Sequence, residues 1–139
     1  MPALKRIGHK GADLIAPGNT LASFDAALAA GVDMVEFDVL PENPDRSGRL
    51  VLAHDFAAAA RGEPITLEEG LAHFAQDAWE GIELDVDLKT TGYERRVIDA
   101  LREYGLAERA LISTMEAVSL PVLRRASEVV REKPIDRAE

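Results

Sequence analysis

The chain has 139 residues, of which 47% are hydrophobic, and its formal net charge is −9. This length and apolar content suffice for one domain with a buried core, spanning residues 1–139, and exclude a disordered chain. The negative charge argues against nucleic acid and anionic membrane surfaces as partners, and the absence of cysteine excludes disulfides, a thiolate nucleophile and a cysteine-ligated zinc site. No stretch is long and apolar enough to cross a membrane, and the amino terminus lacks the apolar core of a signal peptide, so we expect a soluble, cytoplasmic protein.

Predicted strands and helices alternate along the chain. Strands are predicted at residues 4–9, 34–39, 49–54, 81–88 and 109–115. Helices are predicted at residues 20–30, 66–75, 91–104 and 119–131, where apolar residues recur at helical spacing. This alternation is typical of an α/β protein with a parallel sheet.

The connections between these elements refine the prediction. Residues 41–48 are too few for a helix that crosses between parallel strands, so the strand at 49–54 is predicted as the arm of a β-hairpin. Thr66 and Thr91 each precede a glutamate by three residues, which predicts two capping boxes. Residues 55–64 are predicted as a loop. The remaining four β/α units correspond to half of a (β/α)8 TIM barrel.

Two of the predicted strands carry acids on one face and aliphatic side chains on the other. In one strand Glu36 and Asp38 lie two residues apart, and in the other Asp85 and Asp87 do. Carboxylates at this spacing can share a hard divalent cation, although a solvated acidic edge is the commoner explanation for one such strand alone. The second strand favours the cation, because acids that line the interior of a sheet wrapped by helices are costly without a positive partner.

Two of the three histidines directly follow predicted strands. His9 ends the first strand and His54 ends the hairpin arm, whereas His73 lies inside a helix and is given no role. Ligand sites in parallel sheets gather at the carboxyl ends of the strands. Two imidazoles can act there as general base and general acid, and Lys10 could hold an anionic substrate oxygen. These residue types suit cleavage of a phosphoester, with a structural role as the alternative for a lone histidine.

Five short motifs follow one another across nearly the whole chain. They are His9-Lys10-Gly11, Pro17-Gly18-Asn19-Thr20, Glu36-Phe37-Asp38-Val39, Ser47-Gly48 with His54-Asp55, and Asp87-Leu88-Lys89. In this order they resemble the glycerophosphodiester phosphodiesterase family, whose pattern reads H-R-G, P-E-N-T, E-x-D-V, a D-G turn before H-D, and E-x-K. The resemblance implies a distorted (β/α)8 barrel related to that of phosphoinositide-specific phospholipase C, with about the first four β/α units present.

The resemblance assigns a metal site and an acid–base pair. Glu36, Asp38 and Asp87 would hold one divalent ion, Mg²⁺ or Ca²⁺. His9 and His54 would be the catalytic pair, one activating the attacking oxygen and the other protonating the leaving alcohol.

The resemblance also implies what the substrate is and how it is bound. Lys10 would contact the phosphate in place of the family's arginine, and Lys89 would lie beside the phosphate or brace a carboxylate. The substrates would be glycerophosphodiesters, which a phosphoric diester hydrolase of glycerol and lipid metabolism cleaves to glycerol 3-phosphate and an alcohol such as choline.

The chain departs from the family pattern at four points. Lys10 offers a point charge where arginine offers a bidentate fork. Gly18 and Asp87 each replace a glutamate, and the shorter Asp87 would draw the metal closer to its strand unless Asp85 compensates. The loop after His54 is short and lacks the family's R-T-T-x-G segment, which bears on substrate selection.

The number of strands leaves three interpretations open. A half-barrel has two unpaired sheet edges, so we expect self-association into a homo-oligomer, a partner half-barrel, or a longer parent protein. The chain would then be a metal-dependent phosphodiesterase, a metal- or phosphate-binding half-barrel without turnover, or an assembly module with solvated acids. Within the first interpretation a lysophospholipase D-type activity is the alternative, and the lack of an apolar surface loop argues against it.

Overall fold

The computed structural model describes residues 4–132 of the chain. Its strands are β1 (Ile7–His9), β2 (Met34–Pro41), β3 (Leu50–Leu52), β4 (Glu83–Leu88) and β5 (Ala110–Thr114). Its α-helices are α1 (Leu21–Ala30), α2 (Phe56–Arg61), α3 (Leu67–Phe74), α4 (Glu94–Glu103) and α5 (Ser119–Glu132). No helix in this part of the chain is long and apolar enough to cross a membrane.

One sheet of five strands organises the molecule. Four of them run parallel in the order β1-β2-β4-β5, and β3 pairs antiparallel with β2. This topology confirms the predicted α/β fold with a parallel sheet and a hairpin arm. Leu52 of β3 lies opposite Val39 of β2, so the antiparallel arm returns the chain toward the level of Asp38 before His54 follows.

The helices cover the face of the sheet that carries the aliphatic side chains. Val35, Phe37 and Val39 of β2 are fully buried in this core. The Phe37 ring stacks on that of Phe74 in α3 with centroids 5.2 Å apart, and Phe74 meets Phe24 of α1 at 4.8 Å. These aromatic contacts fix the sheet against both helices, since each ring buries a large apolar area. The acids of β2 therefore face the opposite side of the sheet, as predicted.

The predicted helix caps are confirmed at Thr66 and wrong at Thr91. Thr66 Oγ1 accepts a hydrogen bond from the Glu69 N–H at 3.1 Å, which caps α3. Helix α4 instead begins at Glu94 without a side-chain cap from Thr91. The reason lies in Gly92, whose φ of 100° turns the chain after Thr91 and whose N–H donates to Glu94 Oε1 at 2.9 Å.

The segment after His54 is a helix where a loop is predicted. Asp55 accepts a hydrogen bond from the Ala58 N–H at 2.6 Å, and the alanines that follow favour a helix, so α2 forms. The prediction of a loop over residues 55–64 is therefore wrong. Because α2 begins two residues after His54, it fixes the backbone on one side of that histidine.

Candidate active site

Three carboxylates meet at the carboxyl ends of β2 and β4. Asp38 lies opposite Asp87 in the parallel register, and Glu36 lies two residues earlier on the same face of β2. One carboxylate oxygen from each of the three residues lies within 4.8 Å of the other two. Asp38 is 1% exposed and Glu36 is 9% exposed, so the cluster is largely removed from water. The structure thus brings together the three acids that the motifs predict as metal ligands.

Burial and mutual repulsion disfavour the negatively charged form of the acids in this cluster. Burial, and next the charge of Asp38, raise the pKa of Glu36 to about 8 from an ordinary value of 4.5. A hydrogen bond from the Lys10 N–H to Glu36 Oε1, at 3.0 Å, opposes this shift only in part. Burial also raises the pKa of neighbouring Asp85, although Ser113 Oγ donates to it at 2.7 Å. The cluster therefore favours a proton or a cation among its oxygens.

Asp38 is held on one side and open on the other. Asn19 Nδ2 donates to Asp38 Oδ2 at 3.0 Å, and Asn19 Oδ1 accepts a hydrogen bond from the Asp38 N–H at 3.0 Å. Asp38 Oδ1 is buried and accepts no hydrogen bond from the side chains and backbone that the structure describes, and Lys89 Nζ lies 3.3 Å from it. A buried polar oxygen that accepts no hydrogen bond is rare in proteins, and here the neighbouring positive charge is the ammonium of Lys89. Together with Glu36 and Asp87, this open oxygen fits a hard cation such as Mg²⁺ or Ca²⁺, which prefers carboxylate ligands.

Lys89 and Tyr93 border the cluster at the end of β4. Lys89 Nζ lies 2.8 Å from Asp87 Oδ2. Burial lowers the pKa of Lys89, but the hydrogen bond to Asp87 and the charge of Asp38 outweigh burial and leave that pKa raised. The buried Tyr93 hydroxyl donates to the Val39 carbonyl at 2.5 Å and accepts a hydrogen bond from the Lys89 N–H at 2.9 Å. Tyr93 thereby ties the backbone of Lys89 to the end of β2.

His9 lies at the end of β1, next to the carboxylate cluster. Its Nε2 lies 3.9 Å from Glu36 Oε1, and its Nδ1 lies 3.4 Å from Asp13 Oδ2. Because the His9 side chain is 65% exposed, substrate and solvent can reach it. The carboxylate of Asp13 orients the ring, as acidic partners of active-site histidines do.

His54 and Lys10 line one cleft beside the cluster. This cleft has a volume of about 380 Å³ and is also lined by Asn19, which places it next to Asp38. His54 is 54% exposed, and its Nδ1 lies 3.4 Å from Asp55 Oδ2. Lys10 is half-buried, and its ammonium forms no ion pair with any residue that the structure describes. The cleft therefore combines a histidine with a cation that is available to a ligand.

His73 lies outside this site. Its Nε2 is 2.7 Å from Asp25 Oδ1, and its ring centroid is 5.7 Å from that of Trp79. The third histidine thus links α3 to α1, which agrees with the absence of a predicted role.

Sequence reasoning missed three residues that hold the site in place: Asn19, Asp13 and Tyr93. The sequence does indicate a turn at Asn19, because this residue follows Pro-Gly. Asparagine also tolerates the left-handed φ of 59° that Asn19 adopts there. Asp13 lies in an irregular loop whose path no local pattern predicts. Tyr93 meets Val39 from 54 residues away, so the contact depends on the completed sheet.

Comparison with known proteins finds similarity to one family of phosphodiesterases. The Glycerophosphoryl diester phosphodiesterase family model matches residues 9–63. A glycerophosphodiester phosphodiesterase from Caldanaerobacter subterraneus is 29% identical over 82% of this chain and 59% of its own length. The structure of a glycerophosphodiester phosphodiesterase from Agrobacterium tumefaciens matches 91% of this chain and 64% of its own, with 21% identity and a TM-score of 0.71. A phosphodiesterase from Oleispira antarctica, in complex with the product sn-glycerol-3-phosphate, matches 88% of this chain and 62% of its own, with 24% identity and a TM-score of 0.63.

These matches confirm the resemblance predicted from the motifs. The solved structures show the fold, an α/β chain with a parallel sheet that is consistent with part of a TIM barrel. The chain spans 59% and 62% of the lengths of two curated relatives that it matches.

Proposed function

We propose that this chain is a member of the glycerophosphoryl diester phosphodiesterase family and a metal-dependent hydrolase of glycerophosphodiesters. The products would be glycerol 3-phosphate and an alcohol. The observation that carries the proposal is the buried carboxylate cluster with an open oxygen on Asp38, beside two exposed histidines at strand ends. The product named for the matching Oleispira phosphodiesterase supports the same substrate class.

Glu36, Asp38 and Asp87 are the residues that would hold one Mg²⁺ or Ca²⁺ ion. A bound divalent ion polarises a phosphoryl oxygen and neutralises the negative charge that develops on it. The hydrogen bonds from the Lys10 N–H to Glu36 and from Asn19 Nδ2 to Asp38 hold two of these carboxylates in a fixed orientation. Such partners of ligating groups preserve the geometry of a metal site.

His9 and His54 are the acid–base pair of the proposed reaction. One imidazole accepts the proton of the attacking oxygen as that oxygen bonds to phosphorus, and the other donates a proton to the alcohol oxygen as its bond to phosphorus breaks. Each ring has a carboxylate oxygen 3.4 Å from Nδ1, contributed by Asp13 or Asp55. This common arrangement orients both rings and leaves Nε2 to exchange the proton.

Two lysines would supply positive charge for the substrate phosphate. Lys89 lies between Asp38 and Asp87, with its pKa raised by them, so it stays protonated at neutral pH. Lys10 lines the cleft that His54 and Asn19 also line.

The test is release of glycerol 3-phosphate from glycerophosphocholine by the purified chain, measured with Mg²⁺, with Ca²⁺ and with a chelator. We expect turnover that requires metal and is lost in His54→Ala. His73→Gln, a histidine variant outside the site, should retain it. Turnover that persists in chelator or in His54→Ala would overturn the assignment.

A second candidate function is binding of metal and phosphate without turnover. It is favoured by β1 and β5, each of which has one edge without a strand partner among residues 4–132. This candidate predicts that metal raises the melting temperature although no product forms. Stabilisation together with metal-dependent turnover would exclude it.

A further inference from the structure

Gly18 lies so close to Lys10 that a side chain at position 18 would collide with the lysine. A Cβ atom placed on Gly18 would lie 2.9 Å from Lys10 Cβ, 3.0 Å from Lys10 Cδ and 3.1 Å from Asp13 Cβ. Non-bonded carbon atoms prefer separations of about 3.5 to 4.0 Å, so these neighbours would have to move. The constraint is one of space, because the φ of Gly18 lies outside the left-handed region that favours glycine.

The backbone of Lys10 is fixed and cannot make this room. Its N–H donates to Glu36 Oε1 at 3.0 Å. Its carbonyl accepts hydrogen bonds from the Asn19 N–H at 2.9 Å and from Ser23 Oγ at 2.8 Å. Lys10 also has a φ of 52°, a backbone conformation that is uncommon for residues other than glycine. The Lys10 Cβ is therefore anchored, and only glycine at position 18 leaves its present path open.

The Lys10 stem leads into the cleft that His54 lines. Lys10, Gly18 and His54 border the same space of about 380 Å³. Lys10 as a residue is half-buried, and its ammonium forms no ion pair with any described residue. A cation without an ion-pair partner, in a cleft whose Asn19 binds Asp38 of the carboxylate cluster, suits a compact anion with several acceptor oxygens, such as a phosphate ester.

We propose that Gly18 is a positioning residue that holds Lys10 in the cleft, where the ammonium binds a phosphate-ester oxygen. The inference rests on the proposed function, in which Lys10 contacts the substrate phosphate. It also explains two departures from the family pattern together: Lys10 stands where the family has arginine, and Gly18, where the family has glutamate, makes room for that lysine. With Lys10 on its present path, a glutamate at position 18 has no space even for its first carbon.

The first experiment measures the dissociation constant of sn-glycerol 3-phosphate by calorimetry at saturating Mg²⁺. Gly18→Ala should weaken binding about tenfold, the loss expected when one charge-assisted hydrogen bond is displaced. Gly62→Ala is the matched control, because Gly62 lines the same cleft but its added Cβ would lie 3.6 Å from the Ala58 carbonyl oxygen, an ordinary contact. The control should bind within about twofold of the unchanged chain, a difference of about 0.4 kcal/mol.

A double-mutant cycle shows whether Gly18 acts through Lys10. Lys10→Gly removes both the Cβ and the stem, and glycine suits the φ of 52° at that position. In that background Gly18→Ala should change the dissociation constant by no more than about twofold. An equal loss in both backgrounds would show that the alanine disturbs the loop as a whole, and would overturn the inference.

A measurement on the unchanged chain covers the case in which Gly18→Ala does not fold. Nuclear Overhauser contacts between the Gly18 α-protons and the Lys10 δ-protons are expected, because a carbon on Gly18 would lie only 3.0 Å from Lys10 Cδ. Their absence would overturn the inference.

The outcomes separate this inference from the proposed function. An unchanged chain that fails to bind sn-glycerol 3-phosphate would overturn both. Binding by the unchanged chain that Gly18→Ala leaves intact would overturn only the role of Gly18.

Discussion

The centre of the sheet and its two edges are built in opposite ways. Between β2 and β4, charged side chains are buried and held by specific donors, as Asp38 is by Asn19. At β1 and β5, one side of each strand has no strand partner in the part of the chain that the structure describes. Eight large hydrophobic side chains are exposed among residues 4–127, and all lie on these two strands or within six residues of them in sequence: Leu4, Ile7, Leu14, Ile15, Leu111, Met115, Val118 and Leu120.

The difference shows that the site and the closure of the sheet depend on different interactions. One pair of neighbouring strands in the right register is enough to place Asp38 opposite Asp87. Covering the edges takes further strands, because barrels of this type close with eight parallel strands and four are described here. We propose that the chain self-associates through these apolar edges, which would otherwise face water.

The largest effect is expected when the centre loses its charge. Changing Glu36→Ala and Asp38→Ala together should abolish the rise in melting temperature with Mg²⁺ or Ca²⁺, a stabilisation of about 2.7 kcal/mol at about 100 times the dissociation constant. The matched control is the double variant Asp77→Ala with Glu80→Ala, which removes two exposed acids outside the cluster. Its melting temperature should still rise with metal. A rise that survives in the first variant would show that the cluster is not the metal site.

Asn19→Gly should also weaken metal binding at the centre of the sheet, but by less than the loss of both carboxylates. Glycine tolerates the left-handed φ of 59° but cannot donate to Asp38 Oδ2, so the carboxylate loses its fixed orientation. Metal affinity, measured by calorimetry, should fall about 10- to 100-fold, as is usual when a partner of a ligating group is removed. Asn43→Gly is the control, since its amide binds Ser47 in an exposed turn. Equal affinities would mean that strand geometry alone orients Asp38.

The sequence predicts the centre well because its pattern is local. The period of two in a strand places Glu36 and Asp38 on one face, and the same period places Asp87 on the corresponding face of β4. Thr66 also forms the cap that its spacing to Glu69 predicts. These features depend on neighbours within a few residues, and a pattern of a few residues suffices to predict them.

The remaining features depend on the path of loops or on distant contacts. Thr91 fails as a cap because Gly92 turns the chain before the helix begins. The collision that excludes a side chain at Gly18 follows from the conformation of Lys10, eight residues earlier, which no periodicity describes. Such features can be recognised only in the folded chain. The contacts that orient the side chains of the site are among them.

Changing one edge should leave the centre intact. Leu111 is 48% exposed on β5, and a lysine on an edge strand opposes pairing with another chain. Leu111→Lys should therefore shift the chain toward monomer in sedimentation, while the rise in melting temperature with metal stays unchanged. Gln76→Lys adds the same charge at an exposed position before β4 and should sediment like the unchanged chain. An unchanged chain that is already monomeric at high concentration would contradict self-association through the edges.

The last expected effect is a pH dependence of the stability of the metal-free centre. Burial and then Asp38 raise the pKa of Glu36 to about 8 in the folded chain, whereas an unfolded chain keeps its ordinary value of 4.5. Between these pH values the folded chain binds more protons, so this residue makes the free energy of unfolding fall as pH rises from about 4.5 to about 8.

Comparison with Glu36→Gln isolates that contribution, because glutamine does not titrate while every other acid remains. In chelator, the difference in unfolding free energy between the two chains should change across this window, with the unchanged chain losing more stability as pH rises. Glu68→Gln, an exposed glutamate on α3, should show no such difference. With saturating metal the trend should reverse, since the ion binds the deprotonated carboxylate. If the difference in unfolding free energy did not change with pH in chelator, the pKa of Glu36 would not be raised in the folded chain. The electrostatic argument for a cation at this site would then fail.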